Sequence, residues 1–378
     1  MADPILVVIF LRGGADGLNL ISPSGDTDLI AARRPELRVA RKGDDAGFIL
    51  KDQADDVDFR FHHRAKGLSE LFAADELAVI HAAGLTDGTR SHFDAEDRME
   101  RASTASTAGG WLGRWLAMMS PEGPLPALAV GGSAPESLRG GGGVPVADAL
   151  EDLILPTGHD LAHQIGQQML DGFAGHPLIG PQVGQLMGLS TLLTDRLISS
   201  ETGEREGYKT DIDYPNGPLA GALRTIAHAI KTDLGMRVAT ADYGGWDTHV
   251  DQAGEFANHV NHLSESVTAF WRDLGAVQEH VTVVVMSEFG RRLRGNTAGG
   301  TDHGYGNAMM VLGGDIRGGR MLGDWPGLAN EALDMGADLA ITTDYRNVLS
   351  EVLTRHMQTS DLTGVFPDFA PAPMGLFA

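Results

Sequence analysis

The stretch that most constrains this chain is VTVVVM at residues 281–286, followed at once by SEFGRRLRGNTAGGTDHGYG. An uncharged, β-branched run cut off sharply by polar residues and glycine reads as a strand buried on both faces. Such strands belong to parallel sheets covered by helices, and those sheets bind ligands just beyond the carboxyl ends of their strands. Here that place holds Glu288, Arg291, Arg292, Arg294, Asp302 and His303 among six glycines. The alternative is an ordinary solvated loop.

Composition narrows the chemistry. The net charge of −22 argues against nucleic acid or an anionic membrane as a partner bound through bulk charge. An anionic substrate would need local arginines or metal cations to overcome that field. With no cysteine, disulfides, thiolate metal sites and a cysteine nucleophile are all excluded. No apolar run reaches the length of about 18 residues needed for a membrane span. Residues 5–11, ILVVIFL, lack the basic front of a signal peptide and read as a first core strand. The chain as written shows no leader, so a cytoplasmic location is expected unless a leader has been removed.

Taken in order, residues 4–20 run from that strand into Arg12-Gly-Gly-Ala-Asp16-Gly, where glycines let the backbone approach a ligand. Asp16 is a candidate metal ligand; Asp-Gly is equally an ordinary turn. Residues 22–60 read as an irregular excursion whose acids (Asp44, Asp45, Asp52, Asp55, Asp56, Asp58) are solvated. A helix over 66–75 and a strand over 77–81 follow. Ser91 then starts a helix with Asp94 at the capping-box position. A serine at a helix N-terminus beyond a strand suits a nucleophile and suits a plain cap as well. Residues 133–215 read as a helical insertion or cap, in which His159 and His163 are surface or core histidines. Helices over 219–234 and 250–274, strands over 236–240 and 308–312, and a last helix over 344–356 complete the pattern. Between two of these lies GGWDTH, with Asp247 and His249 flanking Thr248.

Strand ends therefore deliver Asp16, Ser91, Asp247, His249, Glu288, Asp302 and His303. Carboxylates with imidazoles are ligands for Zn, Mn, Fe or Mg ions, one or two of them. Arg12, His92 and Arg292 are candidate substrate-binding groups, and Arg291 is a candidate for steadying transferred charge. No G-x-S-x-G elbow, P-loop, H-E-x-x-H or post-strand G-x-G-x-x-G is present.

The segments LRGGADGLN, TRSHFDAEDRME, GGWDTH, SEFGR, TDHGYG and TTDYR resemble a large bacterial family of unknown function. Its members often carry twin-arginine leaders, and it lies within the alkaline phosphatase and sulfatase superfamily. The resemblance implies a single alkaline phosphatase-like domain over 1–378, an α/β/α sandwich on a mostly parallel sheet. It also implies a periplasmic location if such a leader has been removed. By the same resemblance Asp16, Asp247, His249, Glu288 and His303 hold metal, Ser91 is the nucleophile, and Asp302 orients His303. Two departures stand out: Asp247 and His249 have one residue between them rather than three, and Phe289 stands where a ligating histidine is usual. His92 or Asp302 could complete a second metal site. With no cysteine, a formylglycine made from cysteine is excluded, which counts against an ordinary sulfatase mechanism. The expected activity is hydrolysis of a phosphate, sulfate or phosphodiester, on an anionic small-molecule or glycan ester. The alternative is a non-catalytic relative that binds a glycan or an envelope partner.

Overall fold

The computed structural model describes residues 3–51, 57–103, 109–155, 159–198, 204 and 207–377. Asp52, Asp55, Asp56 and the side chain of His159 lie outside the described residues. Among the described residues the core is a nine-stranded sheet. Its order is Met321–Leu322, Leu77–Gly84, Asn307–Gly313, Val281–Ser287, Ile5–Leu11, Val238–Tyr243, Ala127–Val130, Val146–Ala147. Thr343–Asp344 pairs beside Leu77–Gly84. Every pairing is parallel except those of Asn307–Gly313, which runs antiparallel to both neighbours.

The first strand shows why the sheet has three layers. Successive strand side chains point to opposite faces, and all of Ile5–Leu11 is buried. Ile5, Val7, Ile9 and Leu11 pack with Leu68, Leu223, Ile226, Phe256 and Phe270. Leu6, Val8 and Phe10 pack on the other side with Trp111, Trp115, Val348 and Leu349. Removing each such side chain from water contributes roughly 1.5–3 kcal/mol. The helices obey the same logic: Pro218–Lys231 begins with proline, and Leu219, Leu223, Ile226 and Ile230 form its buried stripe. The chain is thus a mixed α/β fold with a mostly parallel central sheet, as its apolar runs require.

Two regions differ from expectation. Residues 22–60 are not irregular: they carry a helix, Thr27–Ala32, capped by Asp26, and strand Phe48–Ile49. Phe48–Ile49 and Ile21–Pro23 both pair antiparallel with Phe59–Phe61. Strands of two or three residues are too short to show periodicity in sequence. The expected strand over 236–240 is in fact Val238–Tyr243, so Asp242 lies inside it. Within 133–215, helices His159–Phe173 and Gly180–Leu197 follow an edge strand and two 3-10 turns, and Leu189, Leu193 and Leu197 join the main core.

Register sets the functional rim. Leu11 pairs with Ser287 on one side and Tyr243 on the other, so three strands end level. Asn307 begins its antiparallel strand opposite Ala83, at the same level. The chain leaves the sheet after Ser287 and re-enters at Asn307 without crossing a face. Residues 288–306 therefore stay at the carboxyl rim.

Candidate metal centre

Four segments converge on this rim. His92 opens the helix His92–Arg101. Asp247 and His249 sit on the turn after Val238–Tyr243. His303 ends a short antiparallel hairpin of Arg291–Gly295 with Thr301–His303, where it pairs with Arg291. Gly13 has φ +114°, and a Cβ there would come within 2.6 Å of the Asp247 backbone nitrogen, so only glycine lets these loops touch.

The histidines are oriented from behind. His92 Nδ1 lies 2.7 Å from Glu288 Oε1, His303 Nδ1 2.8 Å from the Arg90 carbonyl, and His249 Nδ1 3.2 Å from Asp302 Oδ1. A carbonyl or carboxylate can only accept, so each Nδ1 carries the hydrogen and donates it. In a neutral ring Nε2 then holds a bare lone pair. Yet His92 Nε2 and His303 Nε2 are 3.0 Å apart, and His249 Nε2 is 2.9 Å from His303 Nε2. Asp247 Oδ1 lies 3.4, 3.0 and 3.1 Å from Nε2 of His92, His249 and His303. Facing lone pairs at these distances repel unless a cation lies among them.

The donor set fits a metal ion. His92, Asp247 and His303 offer ligand atoms within 4.8 Å of one another, and His249 touches two of those three. Tetrahedral zinc with bonds of about 2.0–2.1 Å keeps neighbouring ligand atoms about 3.3 Å apart, close to the separations here. Nδ1 donors held by carboxylates and a carbonyl are the usual backing of metal-bound histidines. A proton can do the same work. The hydrogen bond to Glu288, helped by Asp247, raises the His92 pKa against its partial burial. Protonated His92 would donate from Nε2 to His303. Partial burial would raise Asp247, but the hydrogen bond and positive charge of Arg291 prevail and hold it at about 2.

Several expected site residues stand apart. Asp16 is fully buried, gripped by both Nη atoms of Arg33 at 2.8 and 3.0 Å and by Gln252 Nε2 at 2.7 Å. This corrects its expected role as a ligand: an internal guanidinium neutralises it. Glu288 is also diverted. Its Oε1 accepts from the Gly13 and Gly14 amides and from His92, and its Oε2 from Ser287, so both oxygens are engaged and it orients His92 from behind. Arg291 cannot steady a transferred group. Its buried guanidinium donates to the carbonyls of Gly13, Gly14, Trp246 and Thr301 and to Asp247, clamping the loops together. Arg12 is enclosed by Glu96, Glu100 and Asp242, which leaves it ill placed for an anion. Arg292 and Arg294 are the exposed members of the 291–294 arginines, and Asp338 Oδ1 lies 3.8 Å from Arg292 Nε.

Other roles shift. His92, expected either to bind substrate or to complete a metal site, lies with Asp247 and His303 in the group that could hold a metal. Asp302 orients His249 rather than His303, because adjacent strand residues diverge; the Arg90 carbonyl serves His303 instead. Ser91 is exposed and makes no side-chain capping bond, while Asp94 pairs with Arg98 at 3.0 Å, so the expected capping box does not form. Phe289 fills the place where a ligand was expected, its ring 4.8 Å from His92 and 5.0 Å from His303 between centroids. It is an apolar floor under the imidazoles. The Arg90 carbonyl was invisible in sequence, since any residue type supplies a carbonyl.

In structure the chain is similar to the C-terminal periplasmic domain of EcEptC from Escherichia coli in complex with Zn. The TM-score is 0.41 at 8% identity, over 83% of this chain and 74% of that one. It is also similar to Ps i-CgsB (TM-score 0.38, 12% identity, 84% and 68% of the two chains). A third is a protein in the alkaline phosphatase superfamily from Vibrio parahaemolyticus (TM-score 0.37, 9% identity, 85% and 62%). Among curated proteins nothing matches in sequence. Among protein families, residues 196–365 match the one described as "Protein of unknown function (DUF1501)", a span that holds Asp247, His249 and His303.

Proposed function

We propose that this protein is a metal-dependent hydrolase of a phosphate ester or a related sulfate ester or phosphodiester. The observation that carries the reading is the convergence of three imidazole Nε2 atoms on Asp247 Oδ1, with every Nδ1 already committed to an acceptor. His92, Asp247 and His303 would hold one ion, with His249 beside them. A bound dication supplies Lewis-acid charge to the ester oxygens. Ser91, exposed at the N-terminus of the His92–Arg101 helix, is read as the nucleophile or as the group that orients an attacking water. Its hydroxyl is not used in capping, and the helix amides favour an anionic group there. Arg292 is read as the cation that draws the anionic ester in against the acidic background. Glu288, Arg291 and Phe289 hold the ligand rings and loops in place.

The test is metal content of the purified protein, with turnover of aryl phosphate, phosphodiester and aryl sulfate before and after chelation. Bound metal and chelator-sensitive turnover, lost in Ser91→Ala and Asp247→Asn, is the expected result. Absence of both metal and turnover overturns the reading. A second reading, a non-catalytic binder, is favoured by the internal pairing of Asp16 and Arg291, two groups expected to serve the chemistry. Metal binding with no turnover on any ester, and ligand capture unchanged by Ser91→Ala, would select it.

A further inference from the structure

Asp338 is fully buried, and its Oδ1 lies 3.8 Å from Arg292 Nε. It closes the 334–338 turn, where Asp334 and Asp338 exchange backbone hydrogen bonds of 2.9 and 3.2 Å. Its Oδ2 accepts from Arg90 Nε at 2.9 Å and from Arg90 Nη2, while Oδ1 has no hydrogen bond among the described residues. Asp334 adds a weaker contact to the same guanidinium at 3.5 Å. A buried carboxylate tolerates loss of its counter-charge poorly, so Asp338 dictates where Arg90 sits. The Arg90 carbonyl in turn accepts the His303 Nδ1 hydrogen at 2.8 Å, and His92 follows two residues later. The turn is itself stitched to the metal-bearing hairpin, through Leu293 N to the Ala337 carbonyl at 3.1 Å and Gly306 N to the Leu339 carbonyl at 2.8 Å.

We propose that Asp338, acting through Arg90, is the positioning residue that fixes the tautomer and bearing of His303 and ties it to His92. The proposal rests on the metal reading above. Side-chain charge at position 338 thereby sets metal affinity, although no atom of Asp338 touches the centre.

The experiment is equilibrium Co(II) and Zn(II) binding to the full chain against a competing chelator, with the visible spectrum of the Co(II) form and metal-free melting. Asp338→Asn keeps the shape and removes the charge. It should weaken binding about 10–100-fold, the usual effect of losing an outer partner of a metal-bound histidine, and shift the Co(II) bands. Arg90→Lys, which keeps a cation, should fall between it and the parent. Parent-like affinity and spectrum in Asp338→Asn, even with lowered melting, overturns the proposal. Should Asp338→Asn fail to fold, Arg90→Lys decides alone: unchanged affinity overturns the proposal, and weakened affinity with shifted bands supports it. A parent chain that takes up no metal removes the metal reading and this inference together, whereas a parent that binds with indifferent variants removes the inference alone.

Discussion

Two polar clusters lie at the same rim of the sheet, each built on an aspartate that meets a buried arginine, and they end differently. Around Asp16, Arg33 donates to both carboxylate oxygens and to the Arg292 and Leu293 carbonyls. Gln252 donates to Asp16 and accepts from Thr301. Each charge there meets its opposite inside the protein. Around Asp247 the protein orients three imidazoles and then leaves their Nε2 atoms facing one another. Full internal satisfaction marks a brace; lone pairs left facing one another suit a bound cation or a shared proton.

The comparison can be broken at several points. Arg33→Met would strand the Asp16 carboxylate in the core and should lower stability by about 3–5 kcal/mol, measured by denaturant unfolding. If that variant instead binds an extra metal ion, the two clusters do not differ in kind. Asp247→Asn should lower stability, because it takes the charge partner from the buried Arg291 guanidinium, and should weaken metal binding more than about a hundredfold, beyond the loss typical of an outer partner; denaturant unfolding and isothermal titration check the two parts. His62 sharpens the contrast among histidines. Burial, with His63 and Arg64 adding to it, depresses its pKa from 6.5 to about 3, the reverse of His92. The unfolded chain therefore binds a proton between those values that the folded chain refuses. Stability should fall by about 1.4 kcal/mol per pH unit on acidifying below 6.5, and His62→Asn should flatten that slope between pH 6.5 and 5.5. Asp302→Ala, which frees His249, should weaken metal binding about tenfold in the same titration. Ser91→Ala should change stability by less than about 0.5 kcal/mol, since no capping bond is lost, while abolishing turnover.

Much of this was legible in the residues. The apolar runs at 5–11 and 281–286 announced a sheet buried on both faces, and the Asp, Glu and His residues beyond their ends marked the rim. Which carboxylate would face a ligand was not legible. Asp16 and Asp247 both follow strands among glycines and both meet an arginine; Arg33, carried in by a segment whose strands are too short to leave a pattern, takes both oxygens of the buried Asp16, whereas Arg291 reaches one oxygen of the half-exposed Asp247. Glu288 was drawn away by backbone amides at Gly13 and Gly14, groups that every residue type shares. Whether His92 served substrate or metal was not legible either, because its neighbour in space, His303, lies more than two hundred positions along the chain.

The antiparallel return at Asn307 has a consequence for how this protein can be re-engineered. Residues 288–306 begin and end on adjacent strands of one ladder, so they form a cassette with both ends anchored side by side. His303, the Phe289 floor and the Arg291 clamp travel together in it. Transplanting that piece between relatives would exchange His303 together with Phe289 and Arg291 while the Arg90 carbonyl behind His303 and the sheet beneath stay as they were.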